Sequence, residues 1–123
     1  MTLKRLLFGR EGESTAVTFL KKKGYRILEK NFCSKLGEID IIAEHEGVLV
    51  FFEVKARADH KFGHPFNAVN SAKQKKIIQT AQSFLVSKRI IDQPMRFDVI
   101  GLTSDPESPD SLKVEHLENA FQV

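Results

Sequence analysis

The chain is predicted to fold as a single α/β domain over residues 1–123, with a central mixed β-sheet flanked by helices. Three observations predict it. The patterned segments run helix, three strands, helix, strand, strand, the order expected of a sheet layered with helices. The helical segments carry one-sided apolar stripes, and the strand segments are rich in β-branched and aromatic residues. The length of 123 residues suits one hydrophobic core rather than two.

The first helix is expected over about residues 10–23, ending at Gly24, a favourable residue just past a helix end. Ala16, Val17 and Leu20, with neighbouring Phe19, mark its buried stripe. Glu13 lies three residues before Ala16 and four before Val17, so it prolongs that stripe and is a candidate site residue. An acid there also suits the positive end of a helix. Lys21, Lys22 and Lys23 read as a solvated helix end. Tyr25 to Phe32 reads as the first strand, followed by a short loop to Gly37.

The next two strands form a hairpin, 37–44 and 48–57, with Glu46-Gly47 as a two-residue turn. That turn pairs His45 with Val48, Ala43 with Val50, Ile41 with Phe52 and Ile39 with Val54, giving one apolar face. On the other face Glu38 meets Lys55, Asp40 meets Glu53, and Ile42 meets Phe51. A slip of one residue would destroy the apolar match, so the hydrophobic pattern favours this register. Directly opposed side chains have Cβ atoms about 4.5–5.5 Å apart, where like charges repel. Two carboxylates at the rim of a packed region are therefore destabilising unless a cation joins them. Read blandly, the acids are solvated edge residues and Glu38–Lys55 a cross-strand ion pair. The combination of Asp40, Glu53 and Lys55 favours a metal site instead.

Residues 58–70 read as a loop containing His60, Gly63, His64 and Pro65, able to clamp a substrate. The second helix is expected from about Ser71 to Lys88, with Ser71 and Gln74 at capping-box spacing. Ile77, Ile78, Ala81, Phe84 and Leu85 form its apolar face, and Gln74 lies on that face one turn earlier, within reach of the site. Lys73, Lys75 and Lys76 crowd its first turns, where cations oppose the helix dipole. Holding phosphate would explain them. Residues 95–102 read as a strand, 103–111 as an exposed loop and 112–117 as a last short strand.

The composition is that of an ordinary globular protein, 41% hydrophobic and 28% charged. Leu6-Leu7-Phe8 is too short an apolar run for a signal peptide or membrane span. Cys33 is the single cysteine, which leaves no disulfide framework and points to a cytoplasmic setting. The net charge of +3 hides an asymmetry. Residues 1–91 hold 17 Lys/Arg against 9 Asp/Glu, whereas residues 92–123 hold 2 against 7. The basic part includes Arg26, Lys30, Lys35, Lys55, Arg57 and Lys61 around the candidate site, a suitable footprint for a phosphate backbone.

Gly37-Glu38-Ile39-Asp40-Ile41-Ile42-Ala43, Phe52-Glu53-Val54-Lys55-Ala56-Arg57, Lys73-Gln74 and Arg96-Phe97-Asp98-Val99 resemble the signature blocks of the YraN-like family of small bacterial proteins. Gly12-Glu13 followed by Ala16 resembles its first helix, so the likeness spans roughly residues 10–102. That family is similar to the restriction-endonuclease-like superfamily, including archaeal Holliday-junction resolvases. The resemblance implies a restriction-endonuclease-like core and the superfamily's PD-(D/E)-x-K motif. It implies that Asp40, Glu53 and the Val54 carbonyl hold a metal ion, that Lys55 sits by the attacking water, and that Glu13 is the acid of the first helix. Ile39 stands where the superfamily motif often has proline.

Together these readings lead to a nuclease dependent on Mg²⁺ or Mn²⁺ that cleaves DNA phosphodiesters, with Arg57, Lys73, Gln74 and Lys76 binding the nucleic acid. Oxygen donors suit Mg²⁺, whose shell is usually completed by water and substrate phosphate. No base-reading helix is evident, so branched or nicked DNA is a more natural substrate than a fixed sequence. A homodimer is expected by analogy with the resolvases. The alternatives are a non-catalytic nucleic-acid-binding module, and an interaction protein whose acidic residues 105–118 recruit a partner.

Overall fold

The computed structural model describes residues 12–57, 66, 69–105 and 107–123; the side chains of Arg57, Asp105 and residues 108–111 are not among those described. The leading apolar run, the start of the first helix before Gly12, and the loop residues His60, Lys61, Gly63, His64 and Pro65 fall outside these bounds. The elements are α1 (Gly12–Lys22), β1 (Arg26–Ser34), β2 (Gly37–His45), β3 (Val48–Arg57), α2 (Ser71–Ser87), β4 (Met95–Asp105) and β5 (Ser108–Phe121). The five strands form one sheet in the order β1-β2-β3-β4-β5. Only β3 and β4 run parallel, joined by the crossover that contains α2. The domain is thus a mixed sheet with two helices.

The turn chemistry fixes the central hairpin. Glu46 and Gly47 have φ of 52° and 81°, the left-handed pair that a tight two-residue hairpin turn requires. His45 pairs with Val48, and the ladder runs through Ala43–Val50 to Ile41–Phe52, as the turn predicts. Alternation then sorts β3 between two cores. Val50 and Phe52 pack with Ile41, Ala43, Ala16, Leu20 and Tyr25 in the cluster that holds α1. Leu49 and Phe51 pack with Ile42, Ile77, Ala81, Phe84 and Phe97 in the cluster that holds α2. Phe51 stacks on Phe97 at 5.5 Å, and Phe97 on Phe121 at 5.1 Å. Aromatic pairs of this kind add about 1 kcal/mol each beyond their burial.

Four expectations need correction. Ile39 does not share a face with Ile41 and Ala43; it packs with Ile42 in the α2 cluster. The change falls where the β2–β3 ladder ends, at Ile41–Phe52, and where β1 holds a left-handed Asn31 (φ 54°) between the partners of Ile39 and Ile41. Simple alternation does not survive such an interruption. The cap of α2 is Asn70, not Ser71: its side chain accepts from the Lys73 N–H at 3.0 Å. The expected loop over 103–111 is largely strand, since β4 reaches Asp105 and β5 starts at Ser108. The last strand is accordingly longer than residues 112–117. A proline in β5 is compatible with its edge position, since one side of an edge strand makes no ladder bonds.

Gly37 sets how closely the β1–β2 turn approaches α2. A Cβ there would lie 3.0 Å from the Thr80 hydroxyl oxygen. Thr80 is fully buried and donates its hydroxyl to the Lys76 carbonyl at 2.7 Å. The turn leading to Asp40 therefore rests directly on α2.

Candidate active site

Beyond the Ile41–Phe52 pair, Asp40 uses its side chain in place of the ladder. Its Oδ2 accepts the Val54 N–H at 2.8 Å. The expected pairs Ile39–Val54, Asp40–Glu53 and Glu38–Lys55 are thus not part of the ladder, and Asp40 meets the backbone between Glu53 and Lys55 instead. Glu53 continues the Phe51 face of β3 and is 5% exposed. The Lys55 ammonium lies 3.4 Å from Glu53 Oε1, and Lys73, from the first turn of α2, lies 3.0 Å from the same oxygen. The placement of Lys73 against the helix dipole thus has a local cause. The carboxylate it meets outweighs a dipole effect of roughly 0.3–1 kcal/mol.

The charges register this crowding. The Asp40 carboxyl is pushed up from 3.8 to about 7, first by burial and then by the Glu53 charge. The Val54 N–H opposes the rise, and the charges of Glu38 and Glu13 add to it. For Lys73, burial favours the neutral amine, but the hydrogen bond and charge of Glu53 outweigh it and raise the ammonium's pKa.

Glu13 joins from α1. Its Oε1 accepts from the Asn31 side-chain amide at 2.7 Å, and Asn31 lies on β1 between residues that pair with Ile39 and Ile41. The structure therefore gathers Asp40, Glu53, Val54, Lys55 and Lys73 into one cluster, with Glu13 at its edge. Gln74 is committed elsewhere, since its amide donates to the Val69 carbonyl at 3.0 Å and braces the segment before α2. Lys76 is exposed on the helix beside Gly37. Arg57 ends β3, paired with Thr103. Among the described residues, no three His, Cys, Asp or Glu side chains are grouped to hold a metal ion. Two carboxylates nevertheless suit Mg²⁺, which takes one or two protein carboxylates and fills its shell with water and phosphate.

A second buried charge cluster has no counterpart in the sequence reading. Asp98 on β4 is fully buried. Arg96 donates to both its oxygens, at 2.9 and 3.0 Å, and also to the Tyr25 hydroxyl at 2.8 Å. His116 Nε2 lies 2.7 Å from Asp98 Oδ2, and the Asn119 N–H donates to Oδ1 at 2.9 Å. Burial raises the pKa of the Asp98 carboxyl, but His116, Arg96 and the Asn119 N–H together hold it below the usual carboxylate range. Nε2 therefore carries the hydrogen, and Nδ1 accepts from the Lys23 ammonium at 2.8 Å. Through Lys23 and Tyr25, this network ties the α1–β1 connection to β4 and β5. The one local signal for it is Arg96 two residues before Asp98 in an apolar strand, which puts both on one face.

Fold and site together define a small α/β protein with a carboxylate pair and two ammonium groups at one rim of its sheet. The chain belongs to the Uncharacterised protein family UPF0102, which matches residues 12–102 and is the YraN-like family that its sequence blocks resemble. A UPF0102 protein of Persephonella marina is 41% identical over 115 residues, covering 94% of this chain and 93% of its own. One from Caldanaerobacter subterraneus is 46% identical over 113 residues, covering 92% and 93%. Another, from Geobacter metallireducens, is 42% identical over 123 residues, covering 100% and 98%. Among the described residues, no helix is long and apolar enough to cross a membrane.

Proposed function

We propose that the protein is a metal-dependent nuclease of the restriction-endonuclease-like type, acting on DNA phosphodiesters with a preference for branched or nicked structures. The observation that carries this reading is the meeting of Asp40 and Glu53 beside Lys55, with Asp40 held on the Val54 N–H. Asp40 and Glu53 would hold Mg²⁺ or Mn²⁺, with the Val54 carbonyl as a further ligand. The ion supplies positive charge at the phosphoryl oxygen and a water of lowered pKa. Lys55 orients the attacking water and stabilises the charge that develops on the phosphate. Glu13, whose charge reaches Asp40, would help position water at this rim. Arg57, Lys73 and Lys76 hold the backbone without reading sequence, which fits a substrate chosen by its shape.

A test uses labelled linear, forked and four-way DNA with Mg²⁺ or Mn²⁺, comparing wild type with Glu53→Ala and Lys55→Ala. The expected result is cleavage by wild type and a loss of at least about 100-fold in each variant. Equal cleavage by all three proteins would identify a contaminant and remove the assignment. One observation favours a second reading, a non-catalytic nucleic-acid-binding module: Glu53 already has two ammonium partners and could be purely structural. Such a module would bind DNA equally well in EDTA.

A further inference from the structure

Lys73 stands out among the basic residues near the site. It comes from α2, is 41% exposed along its side chain, and yet places its ammonium 3.0 Å from the 5%-exposed Glu53 carboxylate. Lys55 contacts the same Oε1 from within β3. The two lysines differ in freedom. Lys55 is anchored by the strand and is 25% exposed, whereas Lys73 sits on the open first turn of a helix with solvent beside it. Both ammonium groups crowd the same oxygen, Oε1, so a divalent ion sharing this carboxylate meets their repulsion. Of the two, the more exposed Lys73 is the one with room to withdraw.

We propose that Lys73 is an exchangeable resident cation: it neutralises Glu53 in the metal-free protein, is displaced when a divalent ion binds, and is then free to hold a substrate phosphate. This rests on the metal-dependent reading above and assigns Lys73 a positioning role in it. The exchange conserves charge balance at each stage. Without metal, the buried carboxylate keeps a partner. With metal, the displaced ammonium meets the phosphate that would otherwise face the remaining acid. Metal binding and DNA binding are thereby coupled through one side chain. The helix supports the move, because its N-terminal dipole disfavours a cation there once Glu53 no longer holds it, and favours the phosphate anion it would meet.

The test titrates Mn²⁺ by calorimetry at pH 8, without DNA, into wild type, Lys73→Met and Lys73→Gln. Two neutral replacements guard against one failing to fold. Both are expected to bind Mn²⁺ about tenfold more tightly than wild type, because no resident cation competes. Binding to a four-way DNA junction is then measured against salt, with Ca²⁺ and with EDTA. With Ca²⁺ each variant should lose about 0.9 from the log–log salt slope of wild type, one phosphate contact, and in EDTA the slopes should coincide. Wild type that binds Mn²⁺ while both variants bind it equally or more weakly would overturn the exchange and leave the metal site standing. Slopes reduced equally with and without Ca²⁺ would also overturn it, since Lys73 would then hold phosphate regardless of metal. If none of the three proteins binds Mn²⁺, the metal-dependent reading itself fails.

Discussion

Replacing Asp40 with asparagine should stabilise the metal-free protein at alkaline pH. Burial and the Glu53 charge move the Asp40 carboxyl from 3.8 to about 7. The folded chain therefore keeps a proton that the unfolded chain has already lost. The sign follows from linkage: stability falls as pH rises from about 4 to about 7, then levels off. Each pH unit of displacement corresponds to about 1.4 kcal/mol, which sets a ceiling of about 4 kcal/mol above pH 7. Asn keeps an oxygen for the Val54 N–H but still buries a polar amide, so a gain of about 1–2 kcal/mol is expected. Urea denaturation in EDTA at pH 5 and pH 8 reads this directly. Asp40→Asn should exceed wild type clearly at pH 8 and by less at pH 5. Saturating Mg²⁺ should stabilise wild type and leave the variant unmoved. A variant that is less stable than wild type at pH 8 in EDTA would refute the reasoning, because Asp40 would then be a net stabilising charge.

Two further substitutions test the frame around the site. Asp98→Ala leaves Arg96 and His116 without their shared acceptor and should destabilise by about 3 kcal/mol in chemical denaturation; a loss under 1 kcal/mol would mean that the network contributes little. Gly37→Ala drives a methyl group to 3.0 Å from the Thr80 hydroxyl and should cost about 1–2 kcal/mol. Adding Thr80→Ala should recover part of that loss, and strict additivity in the double-mutant cycle would show that the two positions do not press on each other.

The parts legible in the sequence are those governed by local rules. The Glu46-Gly47 turn and the alternation of β2 and β3 fix the hairpin register from His45–Val48 to Ile41–Phe52; beyond it the expected Asp40–Glu53 pair gives way to a bond from the Val54 N–H to the Asp40 side chain. The stripe of α2 is equally plain, because Ile77, Ala81 and Phe84 recur at helical spacing and are all buried. What was not legible depends on partners far apart in the chain. Asp98 meets Tyr25's partner Arg96 nearby, but Tyr25 itself and His116 arrive through the packing of α1 and β5. No spacing rule links them. Lys73 reaches Glu53 only because α2 sits close on the β1–β2 turn at Gly37, a tertiary approach. The length of β5 was hidden by Pro106 and Pro109, which signal a loop unless the strand is known to lie at the sheet edge. Ile39 lies past the last β2–β3 pair, where the alternation read from its own strand no longer holds.

Amide NMR spectra recorded during addition of substoichiometric Mn²⁺ measure most directly whether two acids on adjacent strands cage one ion. The paramagnetic ion should broaden the amide signals of Asp40, Glu53, Val54 and Lys55 first, and Asp40→Ala should abolish that pattern. Broadening that begins instead at the acids of β5, such as Glu115 and Glu118, or that is unchanged in Asp40→Ala, would place any bound metal away from this pair and contradict the proposed site.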